Sequence, residues 1–108
     1  MRRGDLITVA LSGDYGKPHP ALVIQSDFLP ETDSVLVSLL TTTQRETPLY
    51  RLSLPAGEGT GLREPSQIMV DKIFAVRRDR CGAPFGRADN VALLALGRLL
   101  AFVVGISD

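Results

Sequence analysis

The chain has a single histidine, His19, held between two prolines in the run Lys17-Pro18-His19-Pro20. Imidazole is the side-chain type that ordinarily titrates near neutrality, which suits it to proton transfer. Lys17 puts a cation on the same stiffened segment. The competing reading is an exposed loop histidine. Thr41-Thr42-Thr43-Gln44 closes an apolar run, and hydroxyls and an amide at a strand end can hydrogen-bond phosphate oxygens. They can equally tie down their own backbone. In Gln67 to Lys72 an acid and a base, Asp71-Lys72, interrupt another apolar run. Breaks in local patterning often mark function, and Asp71 has the chemistry of a general base. The alternative is a surface ion pair at a bulge. Arg77, Arg78 and Arg80 form either a phosphate-contacting edge or a solvated basic loop.

Three weaker matches have better structural explanations. Arg3-Gly4-Asp5 reads as a turn into a strand. Gly57-Glu58-Gly59-Thr60-Gly61 lacks the Gly-Lys-Ser/Thr ending of a phosphate loop and opens no helix, so it reads as a hairpin turn. Cys81 beside Arg80 has the setting of a thiol with a lowered pKa, but reads better as an unreactive side chain.

The frame that must position these groups is small. The chain has 108 residues, 44% of them apolar and 22% charged, which fits one domain, residues 1–108, with a modest core. Twelve basic and twelve acidic residues leave no net charge, which excludes a general polycation strategy for nucleic acid. The charges are unevenly placed. Residues 63–87 hold Arg63, Lys72, Arg77, Arg78, Arg80 and Arg87 against Glu64, Asp71 and Asp79, so a local basic face is available. One cysteine excludes an internal disulfide, and one cysteine with one histidine leaves metal chemistry short of ligands. No signal peptide is read at the N-terminus, and the most apolar stretch, Val91 to Ile106, is shorter than the roughly 20 residues of a membrane span. The expectation is a cytoplasmic protein.

Residues 6–11, 21–24, 35–40, 50–54 and 67–76 read as strands. Residues 12–20, 27–33, 55–61 and 77–87 read as loops or turns. The strand at 50–54 alternates, with Tyr50, Leu52 and Leu54 on one side and Arg51 and Ser53 on the other. Asp71-Lys72 marks a bulge or corner. Asp89 is the expected N-cap of a final helix that stops at Gly105. Its expected core stripe is Ala92, Ala95, Leu96, Leu99, Phe102, Val103 and Ile106, with Leu93, Leu94 and Leu100 off it. A helix so apolar all round suggests burial against both its own sheet and a partner. The fold class is α+β: a small bent sheet or open barrel with a C-terminal helix.

The ordered set Arg3-Gly4-Asp5-Leu6-Ile7, Lys17-Pro18-His19-Pro20-Ala21-Leu22-Val23-Ile24, Thr42-Thr43-Gln44 and Pro65-Ser66-Gln67-Ile68-Met69-Val70-Asp71-Lys72 resembles the MazF/PemK family of toxin–antitoxin ribonucleases over essentially the whole chain. The resemblance implies a five- to seven-stranded SH3-like barrel (CcdB/MazF-like) with a C-terminal helix, and a homodimer. It implies a metal-independent, cofactor-free, sequence-selective endoribonuclease that acts on single-stranded RNA and stops translation and growth. It also implies a cognate antitoxin whose acidic, partly disordered tail covers the RNA groove.

Carried over by position, the family's catalytic threonine or serine matches Thr42, and the aspartate used as base in PemK-type members matches Asp71. His19 stands where the family usually has an arginine, and Met69 where PemK-type members have another. Lys17, Lys72 and Arg77 are candidate replacements for that charge. The catalytic set on this reading is His19, Thr42 and Asp71, and the RNA contacts are Lys17, Thr43, Gln44, Gln67, Lys72 and Arg77. Of the aromatics only Phe74 and Tyr50 lie near these segments, so phosphate contact outweighs base stacking. Two rivals share the implied fold: a CcdB-type gyrase poison, supported by the Phe102-Val103-Val104-Gly105-Ile106 terminus, and a catalytically weakened member that only binds antitoxin.

Overall fold

A computed structural model describes residues 1–13, 15–29 and 31–107. Asp14, at the expected end of the first strand, and Pro30, expected within a loop, lie outside the described residues. Six strands run β1 (Asp5–Ala10), β2 (Pro18–Val23), β3 (Ser34–Thr41), β4 (Arg51–Leu54), β5 (Ser66–Arg77) and β6 (Gly86–Arg87), followed by a helix, α1 (Asn90–Val103). They form one sheet in the order β4-β5-β3-β2-β1-β6, with every pairing antiparallel.

The sheet curls until its two edges meet. The loop after β4 reaches β6, where the Arg87 N–H donates to the Gly59 carbonyl at 2.9 Å. The approach is too close for a side chain, because a Cβ on Gly86 would lie 1.9 Å from the Thr60 carbonyl oxygen. The glycine-rich 55–61 segment is therefore a closing turn, as its composition suggests. Thr60 Oγ1 fastens it by donating to the Pro55 carbonyl at 2.7 Å.

Alternation sorts the strands into two buried clusters. Leu6, Leu22, Ile24, Leu40, Leu54, Ile68, Val70 and Leu96 pack on the helix side. Ile7, Val9, Ala21, Val23, Val35, Val37 and Val76 fill the opposite side. The change of phase falls at the expected interruption in β5. Ser38 pairs with Ile73, yet Leu40, two residues on, pairs with Ile68. An odd number of extra residues in β5 lies between those pairs. Ile68 and Val70 before them and Ile73 after them face the helix side, while Gln67 and Met69, then Phe74 and Val76, face the opposite side. Asp71 and Lys72 sit at the switch, exposed.

Asp89 caps α1, with Oδ1 accepting from the Ala92 N–H at 2.8 Å. The helix ends in a Schellman motif: Gly105 N–H donates to Phe102 and Ile106 N–H to Ala101, with Gly105 at φ +80°. The packed seam differs from the expected stripe. Ala92, Leu93, Leu96, Leu99, Leu100 and Val103 contact the core, whereas Phe102 and Ile106 are exposed. Apolar residues lie all round this helix, so periodicity could not choose between its faces.

Three further differences concern β2, β6 and the 78–80 segment. The second strand begins at Pro18, not after a loop ending at Pro20. The expected loop 77–87 contains a 3-10 turn at Arg78–Arg80 and the two-residue β6. β6 is held to β1 by Arg87, whose Nη1 donates to the buried Asp5 Oδ1 at 3.0 Å.

Candidate functional site

Two prolines make an opening in the sheet. The Ile24 N–H donates to the Leu36 carbonyl at 3.0 Å, so even-numbered residues at this end of β2 direct their backbone groups at β3. Pro18 and Pro20 share that parity and have no N–H to give. The β2–β3 ladder accordingly stops at Ala21↔Leu39. On its other side β2 stays paired with β1 as far as Pro18↔Ala10. The seam between β2 and β3 is unzipped where the site residues stand.

His19 pairs with Val9, which places it on the face opposite the helix, half-buried. Thr41 lies on the same face by alternation with Val35, Val37 and Leu39. The residues after it turn away from the sheet and expose Thr42, Thr43 and Gln44. Thr43 N–H donates to Thr41 Oγ1 at 3.1 Å, and Gln44 Nε2 donates to the Pro65 carbonyl at 3.3 Å. The turn is pinned from below by Gln67. Its Oε1 accepts from the Arg45 N–H at 3.1 Å, and its Nε2 donates to the Arg45 carbonyl at 3.0 Å. Gln67 is buried and both its amide oxygen and its amide nitrogen are engaged, so its place in the structure is that of a brace for the turn.

Arg51, expected on the side of its strand opposite Leu52 and Leu54 and given no role there, completes the clamp. Its Nη1 donates to the Thr43 carbonyl at 3.0 Å and to Gln67 Oε1 at 2.9 Å. Its cross-strand partner is Met69, the position where the family pattern has an arginine. A guanidinium therefore stands beside that position from the neighbouring strand. The alternation of β4 was legible; that β4 lies against this part of β5 was not.

Asp71 and Lys72 are both exposed and form no ion pair with each other. Lys17 is exposed just ahead of β2. Arg77 is set apart from these groups. It pairs with Ser34, at the opposite end of β3 and β5 from the Thr41↔Gln67 pair, and forms an exposed ion pair with Asp79 at 2.7 Å. Cys81 behaves as the unreactive reading expects. Burial pushes its thiol above the ordinary range, and the opposing charge of Arg78 does not cancel this. Among the described residues, no group of three His, Cys, Asp or Glu could hold a metal ion, and no helix is long and apolar enough to cross a membrane.

A curled antiparallel sheet closed by a C-terminal helix, with an unzipped seam carrying a histidine and a threonine-rich turn, defines a small α+β domain with an open polar site. Residues 2–104 match the family model for the PemK-like, MazF-like toxin of type II toxin–antitoxin systems, and the chain belongs to that family. It is 38% identical over 108 residues to a probable endoribonuclease MazF of Mycolicibacterium smegmatis, covering 99% of both chains. Its fold matches an endoribonuclease solved in complex with its cognate antitoxin from a mycobacterial species (TM-score 0.81, 21% identity, 100% and 98% of the two chains covered). It also matches a MazE-MazF structure from Deinococcus radiodurans (TM-score 0.76, 19% identity, 97% and 95% covered). These matches place the chain with the MazF/PemK toxins and do not favour the gyrase-poison alternative.

Proposed function

We propose that the chain is a metal-independent endoribonuclease that cuts single-stranded RNA at the opening between β2 and β3. The observation that carries this reading is the unzipped seam, which puts His19 and the exposed Thr42 turn at one break in the sheet. The 38% identical relative, named a probable endoribonuclease, supports it.

The RNA supplies its own nucleophile. The 2′-hydroxyl oxygen forms a bond to the adjacent phosphorus, and its proton passes to Asp71. The bond from phosphorus to the 5′-oxygen breaks, and that oxygen takes a proton from His19. The products are a 2′,3′-cyclic phosphate and a 5′-hydroxyl. Thr42 hydrogen-bonds a phosphate oxygen, and Lys17 and Lys72 provide electrostatic support for the developing charge. Thr43 and Gln44 line the exposed turn beside it.

The protein acts in the cytoplasm as a homodimer restrained by a cognate antitoxin with an acidic tail. Support for the dimer lies on the outer side of α1 and its end, where Val91, Leu94, Phe102, Val104 and Ile106 are exposed. Light scattering at micromolar concentration tests it, and a monomeric mass removes it.

The test of the activity is incubation with mixed-sequence single-stranded RNA in EDTA, followed by mapping of the cuts and chemical typing of the new ends. Cuts at a short sequence with cyclic-phosphate and 5′-hydroxyl ends are expected. Absence of cutting by folded, antitoxin-free protein overturns the reading in favour of an inactive member.

A further inference from the structure

We infer that Arg51 contacts an RNA backbone phosphate, using the edge of its guanidinium that is not engaged in holding the Thr42–Thr43 turn; this rests on the ribonuclease reading above. Guanidinium has five N–H donors in a planar fork. Arg51 uses Nη1 for both of its internal bonds, to the Thr43 carbonyl and to Gln67 Oε1. Its Nε and Nη2 donors make no hydrogen bond to any described residue. Neither nitrogen is a buried atom lacking a partner, so this edge meets solvent, where a substrate anion can reach it.

Position and rigidity favour a phosphate as the ligand. Arg51 pairs with Met69 on the face opposite the helix, the same face as His19, Thr41 and Gln67. Its guanidinium holds the carbonyl of Thr43, the residue after Thr42, so the free edge belongs to the same turn. Two bonds already fix the plane of the fork, so little side-chain freedom remains to be lost when the ligand arrives. Neither acceptor is a carboxylate, and no ion pair to Arg51 is formed among the described residues. Its full positive charge is thus available to an anionic ligand. Arg77, by contrast, is already paired with Asp79 at 2.7 Å.

The test uses an RNA made uncleavable by a 2′-deoxy substitution at the scissile nucleotide. Its affinity is measured against salt concentration for the full-length protein. A phosphate contact made by one cation contributes about 0.7 to the slope of log affinity against log salt on single strands. Arg51→Gln is expected to reduce the slope by about that amount and to weaken binding about tenfold at low salt. Arg51→Lys is expected to restore the slope but not the cleavage rate, because an ammonium cannot hold the turn and the phosphate together. An unchanged slope in Arg51→Gln overturns the assignment and leaves Arg51 as a brace.

A second measurement needs no variant. In the wild-type protein the Arg51 Nε–H signal is expected to shift and become protected from exchange on RNA binding, and a signal unmoved at saturation also overturns it. Failure of the ribonuclease reading itself shows separately, as wild-type protein that neither cuts RNA nor binds the uncleavable strand.

Discussion

Gln67 of β5 grips the peptide of Arg45 with both atoms of its side-chain amide, at 3.1 and 3.0 Å. The side chain thereby acts as one more rung of β-ladder, joining an irregular turn to the strand beneath it. Gln67 itself is buried, so its amide could not be left unpaired without cost. Gln67→Ala strands the Arg45 N–H and carbonyl and one donor of Arg51. It is expected to lower stability by about 1–3 kcal/mol and to slow RNA cleavage through the loosened turn. Urea unfolding with a parallel single-turnover assay checks both. A fully stable variant contradicts the clamp.

The prolines of β2 invite a test by restoration. Replacing Pro18 and Pro20 with alanine returns two N–H groups facing β3. The β2–β3 ladder is then expected to extend beyond Ala21↔Leu39, the new amide at position 20 to become protected from hydrogen exchange, and cleavage to fall. An unprotected amide there would mean that something other than the missing donors holds the seam open.

His19→Ala and Asp71→Asn are each expected to reduce kcat by about a hundredfold or more, as for loss of a proton-transfer group, with little change in KM. Thr42→Ala is expected to cost about tenfold, the scale of one hydrogen bond to the reacting phosphate. Single-turnover rates on a short RNA decide the matter. Wild-type rates in both His19→Ala and Asp71→Asn remove the assignment.

The closed edge of the sheet predicts opposite outcomes at two glycines. Gly86→Ala drives a Cβ to 1.9 Å from the Thr60 carbonyl oxygen, a backbone atom with nowhere to go. A loss of about 3 kcal/mol or more is expected. Gly97→Ala, inside α1, meets only Arg3 Nη2, at 3.9 Å, and is expected to gain about 0.5–1 kcal/mol from helix propensity. Thermal denaturation of the pair reads both signs.

Cys81 carries the pH prediction. Its pKa is raised in the folded state, chiefly by burial, so folding favours the protonated thiol. The associated stabilisation is present below the unfolded pKa and lost as pH rises through the folded value. Alkylation near pH 8.5 is expected to run slower in native protein than in the urea-unfolded chain, where the thiol is close to its reference value. Equal rates would rule out the protection.

The strand pattern, the capped helix and the interruption at Asp71-Lys72 were legible because each leaves a local mark: alternation, an N-cap, a broken apolar run. What escaped was set by pairing. Pro18 looks like a loop residue until β1 is seen to hold it. β6 is only two residues long and has no pattern to read. Gln67 has the chemistry of a nucleic-acid contact, and only its burial beneath Arg45 assigns it to the turn. Arg77 sits near Lys72 in sequence, yet the long β5 carries it to the far end of the sheet. Arg51 went unassigned because its neighbours Met69 and Thr43 come from other segments.

The phase change in β5 makes chain length at that point matter more than residue identity. Substitutions at Asp71 or Lys72 leave both halves of the strand in place. Deleting one residue there turns everything from Ile73 to Arg77 over, sending Val76 to solvent and Arg77 inward. An alignment that slides this stretch by one position to gain an identity would exchange the two sides of the molecule. Gaps between relatives at this bulge are therefore structural statements, to be placed before any functional residue is compared across them.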